Sequence, residues 1–382
     1  MIYLDNSATT ELSENVKKAM ITAMDCYGNP SSLHTEGLAA RKLLIDSRAA
    51  VMSALGERSG KIIFTSCGSE ASNLVFFGAS RAKSRRVAKR IVITDSEHPS
   101  IENPAVALEK EGFEVFRIST KGGRLDEASV EEAMSQPVFI VSLMLVNNET
   151  GAVYDVGKVF RIAKSKYPDV ICHCDAVQGF LKLPFTPTGI GADAVTLSGH
   201  KIHAPKGVGA LWISDRAVKE KRFSPIILGG GQEDGFRSGT ENTMEIAGFA
   251  EAAREGKAFF ASDIELMRGV RDYFIGLPEL AERNIRINSP EFAAPHIISI
   301  TMPGIRSETV LHFLSAKGIC VSAGSACSSR SGKQSRALLA FGLTQKEADC
   351  TVRASLSRFN TQEDVKALAA ALAEAADTLI RR

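Results

Sequence analysis

The chain has 382 residues, long enough for a large core and, by length alone, for more than one domain. Its 46 basic and 44 acidic residues leave a formal net charge of +2, which gives no electrostatic case for binding nucleic acid or a charged membrane surface. No apolar run approaches the roughly 18 residues needed to span a bilayer. The opening Met1-Ile2-Tyr3-Leu4-Asp5 lacks the basic and long apolar regions of a secretion signal, so a cytoplasmic protein is expected. The seven cysteines are scattered, which predicts reduced thiols, one of them reactive, rather than a disulfide framework.

Apolar residues recur at helical spacing over Glu14–Met24, and Gly28-Asn29-Pro30-Ser31-Ser32 breaks the pattern. Residues 39–55 predict a second helix. Lys61–Thr65 predicts a strand, Ser66-Cys67-Gly68-Ser69-Glu70 a turn, and residues 71–80 a helix. Further strands are expected at Arg90–Thr94, 113–118, 138–146 and 170–174, with helices at 101–111 and Val156–Lys166. Two short branched runs, 194–197 and 208–213, read as buried strands. This alternation predicts an α/β domain with a largely parallel sheet, whose ligands bind at the carboxyl ends of the strands. His98, Asn148, Asp175 and the turn 66–69 all fall just after predicted strands, on one polar rim. Residues 243–275 contain no proline and read as a long helix or a helix pair. Beyond it a strand (295–302), a helix (308–316), a short apolar run (319–321), a small-residue loop (322–335) and a strand (350–356) follow. The last helix opens with Thr361-Gln362-Glu363-Asp364, a capping-box pattern.

Chemistry centres on Ser198-Gly199-His200-Lys201, between the two buried strands. A lysine enclosed at a strand end is poised for a lowered pKa, and a neutral amine is what Schiff-base chemistry requires. The plainer alternative is one solvated lysine among many. The turn 66–70 could hold a phosphate on its backbone N–H groups and the Ser69 hydroxyl, or simply cap a helix. It has neither the Walker spacing nor a dinucleotide glycine pattern. Asp175 could pair with a protonated ring nitrogen or serve as a cap. His98 could stack on a planar ring or be structural. Cys172 and Cys174 flank His173, but strand alternation puts His173 on the opposite face, and no metal site is expected.

Several ordered stretches carry a more specific signal. They are Tyr3-Leu4-Asp5-Asn6-Ser7-Ala8-Thr9-Thr10, Gly28-Asn29-Pro30-Ser31-Ser32, Val146-Asn147-Asn148-Glu149-Thr150-Gly151, His173-Cys174-Asp175-Ala176-Val177-Gln178, Ser198-Gly199-His200-Lys201, Gly229-Gly230-Gly231-Gln232-Glu233, Arg237-Ser238-Gly239-Thr240-Glu241-Asn242 and Ser322-Ala323-Gly324-Ser325-Ala326-Cys327. Over nearly its whole length the chain resembles the fold-type-I pyridoxal phosphate enzymes of the class-V aminotransferase family, and more narrowly the NifS/IscS-type cysteine desulfurases.

The resemblance implies a large cofactor-binding domain (15–255) with a mostly parallel sheet. Residues 1–14 and 256–382 would form a smaller α+β domain carrying a catalytic cysteine loop. Lys201 would hold pyridoxal 5'-phosphate, His98 would stack on its ring, and Asp175 would keep the ring nitrogen protonated. Gln178 would bond the phenolic oxygen. Gly68, Ser69, Ser198 and His200 would bind the phosphate, helped by Thr240 from the other subunit of a homodimer. Asn148 and Arg353 would hold the carboxylate of L-cysteine, for which a guanidinium is better shaped than an ammonium. Freed Lys201 would move protons, and Cys327 would attack the substrate sulfur, leaving a persulfide and alanine. Arg330 and Lys333 would favour the thiolate, and the small residues around them would let the loop carry sulfur outward. The sulfur would pass to an acceptor protein, an iron–sulfur scaffold or a sulfur carrier.

The chain departs from the family pattern at Cys67, where glycine is usual, at Ser69, for threonine, and at His203, for tyrosine. It also stops soon after the last helix, where housekeeping relatives carry a scaffold-docking tail. An aminotransferase or selenocysteine lyase would keep Lys201 and Asp175 but use Cys327 differently. A non-catalytic sulfur carrier or scaffold would show a disabled Lys201 or Asp175, and neither is disabled.

Overall fold

A computed structural model describes residues 1–82, 88–324 and 335–379. The chain opens with a two-residue strand, β1 (Ile2–Tyr3). Then come β2 (Lys61–Thr65), β3 (Arg90–Thr94), β4 (Glu114–Ile118), β5 (Val138–Met144), β6 (Ile171–Asp175), β7 (Ala194–Ser198) and β8 (Gly209–Ile213). These seven form one sheet in the order β2-β8-β7-β6-β5-β3-β4. Only β8 runs antiparallel to its neighbours. The reason is local. A short turn joins β7 to β8, and a short turn can only return the chain, whereas a parallel neighbour needs a long crossover.

Strands β3 and β5 to β8 are buried along their whole length, as expected of a sheet covered on both faces. One core, on one face, takes Val141, Leu143, Cys172, Cys174, Val195 and Leu197. The other takes Ile91, Ile93, Ile140, Ile171 and Phe76. His173 meets Phe76 edge-on, so it does lie opposite the two cysteines.

The rest of the chain adds β9 (Arg286–Ile287), β10 (Ile297–Thr301), β11 (Ile319–Cys320), β12 (Ser322–Ala323) and β13 (Thr351–Ser355). Strands β12-β13-β10-β9 make a small antiparallel sheet. Its core joins Met267, Phe274, Ile300, Leu314, Val352 and Leu368 with Leu4 from the other end of the chain. The N-terminal segment is stitched here as well. Strand β1 pairs in parallel with β11, and the Ser7 amide donates to Ser355 Oγ at 2.8 Å.

Several boundaries differ from the sequence expectation. The helix expected at 39–55 starts at Thr35, because the His34 ring accepts from the Gly37 amide and caps it. The helix expected at 71–80 starts at Gly68, so Gly68 and Ser69 lie in its first turn rather than before it. Asp175 is the last residue of β6 instead of the first beyond it. Residues 243–275 are a pair, Thr243–Ala258 and Phe260–Ile275, broken at Phe259. Ser322–Ala323, expected as loop, form an edge strand on β13. The helices Glu127–Ala133, Arg336–Phe341 and Gln345–Asp349 were not expected. Each is too short to show a period and is marked chiefly by its cap, Asp126, Ser335 or Thr344. The capping box at Thr361 and Asp364 forms as read. No described helix is long and apolar enough to cross a membrane.

Candidate active site

The carboxyl ends of β2, β3, β5, β6 and β7 open on one rim, where a parallel sheet places its ligands. Lys201 ends a single helical turn, Gly199–Lys201, directly after β7. Its Nζ donates to the carbonyls of Ser7 at 2.5 Å and Ala8 at 2.8 Å. The N-terminal segment therefore cradles the amine. His203, in the position of the family's tyrosine, has φ +68° and is buried. Its amide donates to Thr10 Oγ1 at 2.7 Å, its Nδ1 lies 2.8 Å from the Glu11 carbonyl, and its ring meets Phe359 edge-on. It clamps the turn to the N-terminal segment rather than facing the rim alone.

Asp175 is buried and accepts one bond, from the Val177 amide at 3.0 Å. It is thus both a turn former and a buried acid. Burial raises its carboxyl to about 6, against the pull of Lys201. His98 is also doubly used. It caps the helix Pro99–Lys110, its Nδ1 accepting from the Ser100 amide at 3.1 Å. The proton of the neutral ring therefore sits on Nε2. Burial first, and the charge of Lys201 second, push its pKa down to about 4.

Glu97 goes unread in the sequence, and His173 is weighed there only as a metal ligand. Glu97 Oε1 accepts from Thr94 Oγ1 at 2.8 Å and the Met144 amide at 3.0 Å, and burial raises its carboxyl to about 8. His173 sits between Ser142 Oγ at 2.8 Å and Thr196 Oγ1 at 2.9 Å, and Thr196 Oγ1 lies 3.3 Å from Ser72 Oγ. That polar chain ties the helix Gly68–Ser80 to three strands. No sequence period signals it, since each member looks like an isolated core residue.

The helix Gly68–Ser80 begins against the strand ends. A Cβ on Gly68 would lie 3.0 Å from Val177 Cγ2 and 3.4 Å from Ser198 Cβ. Its N-cap residue, Cys67, makes no side-chain capping bond, which leaves the first-turn donors suited to an anion. Ser69 is exposed there, Ser198 buried and His200 half-buried. Glu70 in the same turn pairs with Arg237 at 2.8 Å and so anchors the loop that carries Thr240. Thr240 itself is exposed.

Arg353 and Asn148 do come together. Arg353 Nη1 donates to the Asn148 carbonyl at 2.8 Å, and Nη2 to Asp5 Oδ1 at 3.0 Å. Asp5, also bound by Ser322 Oγ at 2.8 Å, is a site residue that sequence reasoning passed over. Its motif was read, but only the structure shows which residue it serves. Cys327, Arg330 and Lys333 lie outside the described residues.

Gln178 Nε2 donates to the Ser7 carbonyl at 2.9 Å. Its Oε1 and the Ser7 hydroxyl are buried with no partner among the described residues. An amine, unpaired polar atoms on the two residues beside its Ser7 carbonyl, a buried acid and a helix start without a side-chain cap gather at the strand ends. This set fits pyridoxal phosphate: the amine for its carbonyl carbon, the acid for its ring nitrogen, and the helix start for its phosphate.

Known proteins resemble the chain over nearly its whole length. The family model described as Aminotransferase class-V matches residues 2–368. A cysteine desulfurase, IscS 1, of Archaeoglobus fulgidus is 35% identical over 370 residues, covering 96% of this chain and 95% of that one. A solved NifS-like protein superposes with a TM-score of 0.91 at 31% identity, over 99% of this chain and 100% of the other. A solved SspA in complex with cysteine does so with 0.81 at 29% identity, over 94% and 100%. The chain therefore belongs to the class-V aminotransferase family, a fold-type-I family, and within it to the NifS/IscS-type cysteine desulfurases.

Proposed function

We propose that this enzyme takes sulfur from L-cysteine at the rim around Lys201, releasing L-alanine and leaving a persulfide on Cys327. The observation that carries the reading is the Lys201 amine, held on the Ser7 and Ala8 carbonyls and drawing on the charge of buried Asp175, with Gln178 bonded to the same Ser7 carbonyl and its Oε1 and Ser7 Oγ unpaired among the described residues. Pyridoxal phosphate, when bound, supplies the electron sink. The protein residues do the rest. Lys201, whose amine now rests on the Ser7 and Ala8 carbonyls, would hold the cofactor, and as a free amine it would move the proton at the substrate Cα. Asp175 would hold a proton on the ring nitrogen, Gln178 would bond the phenolic oxygen, and His98 would lie against the ring. Gly68, Ser69, Ser198 and His200 would bind the phosphate. Arg353 and Asn148 orient the substrate carboxylate. The Cys327 thiolate attacks the substrate Sγ; as the S–S bond forms the Cβ–Sγ bond breaks, its electron pair stays with Cβ, and a proton added there gives alanine.

The reading extends to the whole particle. Residues 15–255 act as the cofactor-binding body, and 1–14 with 256–382 as a smaller one. The separate core that joins Leu4 to residues 267–376 supports this division. The protein is a homodimer in which Thr240 completes the partner's phosphate site. Its exposed position on an anchored loop supports that role. It works in the cytoplasm and hands sulfur to an iron–sulfur scaffold or a sulfur carrier.

The test is to follow sulfide and alanine released from L-cysteine, and to weigh the Cys327 peptide after treatment. One added sulfur atom, lost to dithiothreitol and absent from Cys327→Ser, is expected. Alanine formed by Cys327→Ser at the unsubstituted rate would overturn the reading.

A further inference from the structure

Cys327 lies outside the described residues, but the residues that flank its stretch, Gly324 and Ser335, are both placed. Gly324 follows β12, and Ser335 caps the helix Arg336–Phe341. Both meet one atom, Oε2 of Glu149. Ser335 Oγ donates to it at 2.5 Å. A Cβ added to Gly324 would stand 2.7 Å from it and 3.6 Å from Ser335 Cβ. The described chain thus breaks off and resumes at a single carboxylate oxygen. Glu149 is buried in a turn beyond β5. Asn147 Oδ1 fixes that turn by accepting from the Glu149 and Thr150 amides at 3.0 and 2.9 Å. Arg353 Nη1 ties the same place to the substrate side, since it donates to the Asn148 carbonyl at 2.8 Å and to the Gly324 carbonyl at 3.4 Å.

Burying a carboxyl group is unfavourable, and the helix does not need this one. Ser335 already caps it, its Oγ accepting from the Leu338 amide at 3.1 Å. That bond leaves the hydroxyl hydrogen for Glu149, so the acid adds a tie between Ser335 and the turn that carries Asn148. The next residue, Arg336, pairs with Glu102 at 2.8 Å, but its side chain is 58% exposed, and such a pair contributes little. Glu149 alone touches both flanks. We propose that Glu149 is a positioning residue for sulfur transfer, its carboxyl group holding the two ends of the Cys327 stretch together beside the guanidinium assigned to the substrate carboxylate. The inference rests on the reading of Cys327 as the attacking thiol. Gly324 follows from the same arrangement. A side chain there would push against the Glu149 carboxyl group and part it from Ser335.

The experiment compares Glu149→Ala, Glu149→Gln, Gly324→Ala and the double variant Glu149→Ala/Gly324→Ala in the cofactor-loaded enzyme. It reads alanine release with dithiothreitol present, cofactor absorbance, and the mass gained by the Cys327 peptide after brief exposure to cysteine. Glu149→Ala should lower kcat about tenfold or more and slow the mass gain in step. Cofactor absorbance should be intact and the KM for cysteine changed less than about threefold. Glu149→Gln keeps an acceptor for the Ser335 hydroxyl and should recover most of the rate. Gly324→Ala should lower kcat too, but add no loss once Glu149 is alanine, because the group its Cβ strikes is gone. Full kcat in Glu149→Ala overturns the proposal. So does a loss seen only in KM or in cofactor retention, or a Gly324→Ala loss of equal size in both backgrounds. If Glu149→Ala does not fold, Ser335→Ala breaks the same bond from the other side, and full kcat there overturns the proposal. Failure of the desulfurase reading looks different: Cys327→Ser would then release alanine at the unsubstituted rate. Where Cys327 is required and Glu149→Ala keeps full kcat, only the positioning role falls.

Discussion

Asp175 is charged only at a cost in the folded protein without its cofactor, because burial lifts its carboxyl from 3.8 to about 6. Below 3.8 the group is protonated folded and unfolded alike and contributes nothing. Above about 6 the folded state bears the full penalty, on the order of 3 kcal/mol. Stability of the cofactor-free protein should therefore fall as pH rises through that window. Asp175→Asn should remove the fall and stabilise the cofactor-free protein at neutral pH, while weakening cofactor retention. Urea unfolding at a series of pH values checks the first effect and gel filtration with cofactor absorbance the second. Arg353 calls for a gentler substitution than alanine, which would strip Asp5 and the Asn148 carbonyl of their partner and cost about 3–5 kcal/mol. Arg353→Lys keeps the charge but loses the fork. The KM for cysteine should rise about tenfold or more with the cofactor still bound. An unchanged KM counts against the assignment.

Among the elements, the start of the helix Gly68–Ser80 depends on a glycine in the strand beside it. A Cβ on Gly209 would stand 2.6 Å from the Cys67 carbonyl carbon and 2.9 Å from the Gly68 nitrogen, backbone atoms that cannot swing aside. Gly209→Ala should destabilise the fold by about 1–3 kcal/mol and loosen the cofactor phosphate. Gly269, with nothing within 4 Å of its added Cβ on the exposed side of Phe260–Ile275, is the opposite case. Gly269→Ala should stabilise by about 0.5–1 kcal/mol. Thermal melts of the two variants should move in opposite directions. The elements also show what a sequence makes legible. Long periodic segments such as Val156–Lys166 and short branched runs such as β7 announce themselves, and the Thr361 box marks a helix start by chemistry alone. Lys201, Asp175, His98 and Arg353 can be proposed from the sequence because their motifs are local. Asp5, Glu97 and Lys182 cannot. Asp5 answers a guanidinium 348 residues away, Glu97 bonds an amide 47 residues on, and Lys182 Nζ has no hydrogen-bond partner among the described residues; no local pattern records any of these. The His34 cap escaped because an imidazole is an uncommon helix start.

At the scale of the whole molecule, residues 21–45 carry six of the exposed large apolar side chains. The helix Thr35–Ala54 buries Ala40, Leu44, Ser47 and Val51 but exposes Leu38 and Ile45 one heptad apart. Ile21, Met24, Tyr27 and Leu33, on the preceding helix and the segment joining the two, are also exposed. Apolar groups gathered in this way mark a face meant to be covered. A second subunit of the proposed dimer would cover it. Ile45→Glu should give a monomer by light scattering, with unchanged circular dichroism and weaker cofactor binding for want of the partner's Thr240. A monomer that binds cofactor as tightly as the parent would exclude the shared site.

The threading of the N-terminal segment has a consequence for how the enzyme is made. Ser7, whose carbonyl holds Lys201, is itself held by Ser355, 348 residues later, and strand β1 pairs with residues 319–320. At roughly 5–20 residues per second, synthesis takes tens of seconds to bring these partners into existence. The central sheet, whose last strand ends at Ile213, can close long before. Lys201 thus emerges from the ribosome early, on a nearly complete sheet, but without the fastened carbonyls that aim it. Closing so long a loop is a late and slow step. A nascent chain is therefore kept from working as an enzyme until almost all of it has been translated.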